Sequence, residues 1–313
     1  MNLLNSSLFY CKNKDTYPPF KKGLYLEEYF LQFVKDNYST TNNNNNNNNE
    51  NNNNENQILK RKYIPVLWTN FQIEGWFPSH QRNMQQVLNE WVVNNPSPTG
   101  YFTIVQHDDA CRLTLPNNTI VYGACSGDIP IPLIYEDINN TLDNIPKKQF
   151  KEKTLLCSFV GNITSNAVLP NVRRVMMDTF VNNPNFKMID SGGWTAIVKE
   201  KNQKMFIDIT VNSKFAFAPR GYGRSSFRFF ECFQLGTIPI YICNDKNWLP
   251  FQDVIDYNKL CICIHISDIN KLEKRIETIS DKEYNDMFSY YEEIKHLFTL
   301  NGMSKRIIEE INM

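Results

Sequence analysis

The chain has 313 residues, with 33 lysines and arginines against 33 aspartates and glutamates, and 42% of its residues are hydrophobic. That length suits about two domains with an ample core. Zero formal net charge gives no global field for nucleic acid or an anionic membrane, so any anion site must be local.

The eight cysteines include no C-x-x-C pair, and some lie in apolar runs such as Leu260–Ile266. This suits reduced, buried thiols rather than a disulfide framework or a zinc site. The sequence shows no cationic leader and no run of about eighteen apolar residues. It therefore predicts a cytoplasmic protein without a membrane span. The Asn-x-Ser/Thr triplets at Asn5, Asn37, Asn117, Asn139 and Asn162 are expected by chance in so asparagine-rich a chain.

In chain order, Gly23–Lys35 carries apolar residues at helical spacing and predicts an amphipathic helix. Residues 42–56, asparagine apart from Glu50 and Glu55, bury nothing apolar and read as a disordered insertion. Tyr63–Thr69 reads as a buried strand, and Ser79 as the cap of a helix running to Val93 and stopped by Pro96. Tyr101–Gln106 and Thr119–Ala124 are strands. The proline-interrupted Ile129–Tyr135 suits a sheet edge or a crossing segment.

The second half repeats the rhythm. Strands are predicted at Thr154–Val160 (ended by Gly161), Phe186–Ile189, Lys214–Ala218, Ile238–Cys243 and Leu260–Ile266. Helices are predicted at Asn171–Val181, Lys204–Val211 and Ser225–Leu235, the last closed by a left-handed Gly236. Ser267 and Ser280 read as N-caps, Ser280 with Glu283 as a capping box, and helices end the chain. Such alternation indicates two α/β units with mostly parallel sheets, whose ligands sit beyond the strands' carboxyl ends.

The most informative stretch is Ser213–Phe251. A buried strand enters PRGYGRSS, where Gly221 and Gly223 permit close backbone approach, and the loop ends at a helix N-terminus. Free N–H groups and the helix dipole there favour an anion. Arg220, Arg224 and Arg228 bring guanidinium forks suited to phosphate, and Ser225 and Ser226 bring hydroxyls. Glu231, three residues beyond Arg228, can accept from a ribose diol. The plainer alternative makes Arg228 and Glu231 a surface ion pair. Phe227, Phe229, Phe230 and Phe233 read as core, and Tyr222 as a base-stacking or locally packed ring.

Directly after a predicted strand, Gln106-His107-Asp108-Asp109 supplies acid–base groups, or else ordinary turn capping. Glu74-Gly75-Trp76 suits an acceptor pocket, although Trp68, Trp76 and Trp91 also read as core. His80, His265 and His296 read as structural.

The block SKFAFAPRGYGRSSFRFFECFQLGTIPIYI, with the following WLPF, resembles the signature of the exostosin family of inverting glycosyltransferases. The stretches LLCSFVGN and NVRRVMMDTF resemble the family upstream, as do YFTIVQHDD and PPFKKGLYLEEYF. The resemblance implies an α/β fold of GT-B type, two Rossmann-like domains facing each other across a cleft. It places an acceptor-side domain at 1–150, a donor domain at 151–303 and a last helix, 304–313, crossing back. It implies inverting transfer from a nucleotide sugar, UDP-linked, to a hydroxyl of a glycan or glycoprotein. No metal or cofactor is expected, since arginines and a helix dipole stabilise the leaving diphosphate, and no D-x-D motif is present.

By the same resemblance Arg220 and Arg228 lie near the pyrophosphate and Glu231 on the ribose, with Arg173 or Arg174 as a further arginine. An inverting transfer needs a base. Asp109 is the preferred candidate, with Asp108 and His107 beside it. Exostosins work in the secretory pathway, so a Golgi location stands as the alternative to the cytoplasm. The rival function is an inactive relative that binds a nucleotide sugar, a glycan or a partner. A kinase is disfavoured because no G-x-x-x-x-G-K-[ST] loop occurs.

Overall fold

A computed structural model describes residues 24–38, 59–74, 78–137, 139–164, 170–193 and 199–313. The asparagine tract read as disordered lies outside the described residues, as do Gly75 and Trp76.

Helix α1 (Leu26–Asn37) buries Leu26, Phe30, Leu31 and Val34 at helical spacing. Strand β1 (Lys62–Tyr63) is far shorter than the predicted Tyr63–Thr69, because Pro65 has no N–H to continue the ladder. Residues 64–67 are irregular, and the end of the run, Trp68 and Thr69, opens α2 (Trp68–Glu74), anchored where Trp68 Nε1 donates to Thr103 Oγ1 at 2.8 Å. Helix α3 (Pro78–Asn94) starts with proline, whose missing N–H costs nothing in a first turn. Strands β2 (Tyr101–Val105), β3 (Thr119–Gly123) and β4 (Ile129–Pro130) complete a parallel sheet of order β1-β2-β3-β4. Pro130 sits on its edge strand.

The second sheet begins with β5 (Leu155–Gly161), α4 (Val172–Phe180, capped by the Asn171 side chain) and β6 (Phe186–Asp190). It continues through α5 (Glu200–Val211), β7 (Ser213–Pro219), α6 (Phe227–Gln234) and β8 (Ile238–Cys243). Helix α7 (Tyr257–Leu260) and β9 (Ile262–His265) close it, in the parallel order β6-β5-β7-β8-β9. Strands such as β8 are apolar almost throughout because both of their faces are buried.

Gly236 follows α6 at φ +70°, the left-handed region. Helices α8 (Leu272–Glu277), α9 (Asp281–Ile294) and α10 (Leu300–Asn312) finish the chain. Ser280 and Glu283 form the expected capping box. Ser267 is no N-cap: a 3-10 segment starts at Ile266, and the His265 ring accepts from the Ser267 N–H.

One continuous core joins residues of both sheets, and α10 packs against α1. Asn312 accepts from the Lys60 N–H at 3.1 Å, and Arg306 pairs with Asp253. Two parallel sheets flanked by helices make this an α/β fold of GT-B type. Among the described residues, no helix is long and apolar enough to cross a membrane.

Candidate active site

The chain beyond the carboxyl ends of β2 and β3 meets the loop that leaves β7. Gly223 sits at the contact: a Cβ there would lie 2.2 Å from Asp108 Oδ1 and 2.7 Å from Cys125 Sγ. Only glycine fits so close an approach. Further ties surround it. Trp248 Nε1, beyond β8, donates to the Gly123 carbonyl at 3.1 Å, and the Tyr135 hydroxyl donates to Glu231 Oε1 at 3.0 Å. The Ser225 N–H bears on the Cys125 sulfur. The glycine loop and the acidic segment thus meet in the fold, although Gly223 and Asp108 are 115 residues apart in sequence (223 − 108).

The arginines take different parts. Arg220 is 7% exposed, and its guanidinium reaches Asp245 at 3.0 Å, Asn244 Oδ1 at 3.2 Å and the Tyr222 carbonyl at 3.1 Å. Arg224 Nε binds the other oxygen of Asp245 at 2.9 Å, with its guanidinium 5.6 Å from the Trp248 ring. One carboxylate therefore holds two guanidiniums. Burial opposes ionisation of Asp245, but Arg220 and then Arg224 outweigh it and hold its pKa low.

Arg173 donates to the Arg220 carbonyl at 2.9 Å and the Asn162 carbonyl at 2.8 Å, and its guanidinium fills the space a Gly221 side chain would need. Arg174 is not brought to the site. Its side chain is 54% exposed and pairs at 4.0 Å with Asp178 on the same helix.

Arg228, in the first turn of α6, is positioned differently. Its guanidinium lies 4.9 Å from the Phe159 ring and 5.3 Å from that of Phe206, against Gly161, where a Cβ would come within 2.5 Å. Among the described residues its Nε is buried without a hydrogen-bond partner, as is that of Arg220. Arg228 and Glu231 are thus no surface ion pair. Glu231 is 6% exposed, and burial pushes its pKa up to about 7 against the Arg228 charge and the Tyr135 hydrogen bond. The N-cap of α6 is Ser226, one residue past the predicted start, with no side-chain cap bond among the described residues, so the helix's first N–H groups are not satisfied by that hydroxyl. Phe229, Phe230 and Phe233 are core, and Tyr222 is 55% exposed.

On the acidic side the two carboxylates differ. Asp109 pairs with Arg112 and receives the Tyr222 hydroxyl; burial opposes ionisation, but Arg112, His107 and Tyr222 prevail and lower its pKa. Asp108 moves the other way: burial raises it, against the Cys125 thiol, the His107 charge and the Gly223 N–H. Burial lowers His107, whose Nδ1 accepts from the Asp109 N–H at 3.2 Å. Asp245, Tyr135 and Cys125 were not singled out from the sequence. Asp245 alone carried a signal, as an acid just beyond a strand. Among the described residues, no group of three or more His, Cys, Asp or Glu is placed to hold a metal ion.

The Exostosin GT47 domain matches residues 90–279. A probable glycosyltransferase of Arabidopsis thaliana is 30% identical over 101 residues, 32% of this chain and 19% of that protein. Another is 22% identical over 170 residues, 50% of this chain and 35% of that protein. The Exostosin-1 homolog of Caenorhabditis elegans is 26% identical over 113 residues, 36% of this chain and 29% of that protein. The matched stretch is therefore a fifth to about a third of each relative. The domain match covers more than half of the chain, through the acidic segment, both glycine positions and Arg228, and the chain belongs to the exostosin GT47 family.

Proposed function

We propose that this chain transfers a sugar from a UDP-linked donor to a hydroxyl of a glycan or glycoprotein, with inversion and without a metal. The observation that carries the reading is Arg228, a buried guanidinium at the start of α6 and against Gly161; the Arg228 Nε meets no acceptor among the described residues. Positive charge and free amides gathered there suit a diphosphate. The proposed donor side is the β5–β9 sheet, with Arg228, Ser225 and Ser226 at the diphosphate and Glu231 at the ribose. Arg173, Arg220 and Arg224, with Gly221 and Gly223, shape the loop. The β1–β4 sheet is the proposed acceptor side, and α10 ties back to it.

In the proposed reaction, Asp108 removes the acceptor hydroxyl's proton as that oxygen attacks the anomeric carbon. The sugar–phosphate bond breaks, and the diphosphate leaves towards Arg228. Asp108 replaces Asp109 as the proposed base, because the pairing of Asp109 with Arg112 lowers its proton affinity. A carboxylate has about four lone-pair sites, so the Gly223 N–H and the Cys125 thiol still leave Asp108 room for a hydroxyl.

A thermal-shift screen of nucleoside diphosphates tests the reading. A ligand at 100 times its Kd adds about 2.7 kcal/mol. The expected outcome is stabilisation by UDP above ADP or GDP, lost in Arg228→Ala. Indifference of the wild type to every nucleotide would overturn it.

A further inference from the structure

The acidic segment is braced from beneath by two buried side chains of other elements. Glu27, on α1, is 2% exposed, and its carboxylate accepts from the Gln106 N–H at 2.7 Å, the Thr69 N–H at 2.9 Å and the Thr69 hydroxyl at 2.7 Å. Gln72, on α2, is 3% exposed; it donates to the Ala110 carbonyl at 2.8 Å and accepts from the Arg112 N–H at 2.9 Å. One side chain thus holds the segment where it leaves β2, and the other holds it four to six residues later.

Between these anchors Ala110 stands at φ +56°, in the left-handed region. A non-glycine residue there is strained and persists only where its surroundings impose it. Two polar side chains, each almost wholly buried, impose it here. The reward lies at the tip, where Asp108 meets Gly223.

We propose that Glu27 and Gln72 are positioning residues that clamp the backbone of residues 106–112 at both ends and so aim Asp108 at the glycine loop. The inference rests on the reading of Asp108 as the base. It adds that the aim comes from two residues that touch neither donor nor acceptor. Glu27→Gln keeps the shape but replaces one acceptor oxygen with a donor facing backbone N–H groups. Gln72→Leu removes both bonds to the segment, and Gln72→Asn, shorter by one methylene, is the milder form should Gln72→Leu fail to fold.

The test is hydrogen–deuterium exchange on the nucleotide-free full chain, with kinetics on the same variants. Exchange at 106–112 should rise about tenfold in Gln72→Leu and Glu27→Gln, while 219–228 stays as in the wild type. The kcat should fall about 10- to 100-fold with the donor KM and the UDP thermal shift unchanged. Adding Ala110→Gly to Gln72→Leu should recover part of kcat, since glycine takes the left-handed conformation without strain. A clamp that merely stabilised the fold would lower the Tm and raise exchange throughout. Unchanged exchange at 106–112, or raised exchange with full kcat, would overturn the proposal. Failure of the wild type to bind UDP would instead count against the donor reading, because the exchange result needs no nucleotide.

Discussion

The glycine loop and the acidic segment reach the same contact from opposite sheets, and each divides its charges in the same way. On the glycine-loop side, Arg220 and Arg224 are held by Asp245, while Arg228, in the first turn of α6, lies against Gly161 between the Phe159 and Phe206 rings. In the acidic segment, Asp109 is held by Arg112, while Asp108 faces the opposite half. Charges that look equivalent in sequence therefore separate into those that fix a loop and those proposed to be presented to a ligand. A charge locked in an ion pair has little left for a ligand, since breaking that pair is costly.

The comparison breaks most directly at the presented charges. Asp108→Asn should lower kcat by about 10²–10⁴-fold with donor binding intact, whereas Asp109→Asn should cost only about tenfold, read by steady-state kinetics. Reversal of that order would exchange the two roles. Arg228→Ala should raise the Kd for UDP about 100-fold, as expected when a charge-assisted fork is lost.

Gly223→Ala tests the contact itself. An added Cβ would collide with Asp108 and Cys125, so denaturant unfolding should show a loss of about 1–3 kcal/mol, with kcat reduced as well. An alanine variant of wild-type stability would mean that the halves stand further apart.

A smaller effect concerns pH. Burial raises Glu27 and Glu231 each to about 7 from 4.5, so the folded state holds more protons than the unfolded chain between those values. Their contribution to stability is full below the unfolded pKa and is lost as pH rises through about 7. Stability should therefore fall between pH 5 and 8 by a few kcal/mol at most, and Glu231→Gln should flatten that slope in pH-dependent melts. The smallest effect is expected at Arg174, where substitution by alanine should change stability by less than about 0.5 kcal/mol and leave UDP binding untouched.

Much of the framework was legible because buried parallel strands are continuous apolar runs, and Gly-Arg loops at helix starts stand out by composition. Tyr63–Thr69 misled because an apolar run does not distinguish a strand from the start of a buried helix, and Pro65 fell at the change between them. The loop's arginines were legible as a group, but their division was not. Asp245 lies 21 residues beyond Arg224, and no local pattern couples the two. Glu27 was harder still to find, since its acceptor role is defined by a backbone amide 79 residues away. Helical periodicity places Glu27 on α1, but only the assembled fold shows that it lies on the buried side.

Titration calorimetry of UDP into the wild type and Arg228→Ala, with Arg174→Ala as control, tests the central claim that Arg228 is the guanidinium presented to a diphosphate. One UDP per chain is expected for the wild type and for Arg174→Ala, with binding lost or weakened about 100-fold in Arg228→Ala. Equal affinity in all three proteins, or no heat in any, would contradict the account.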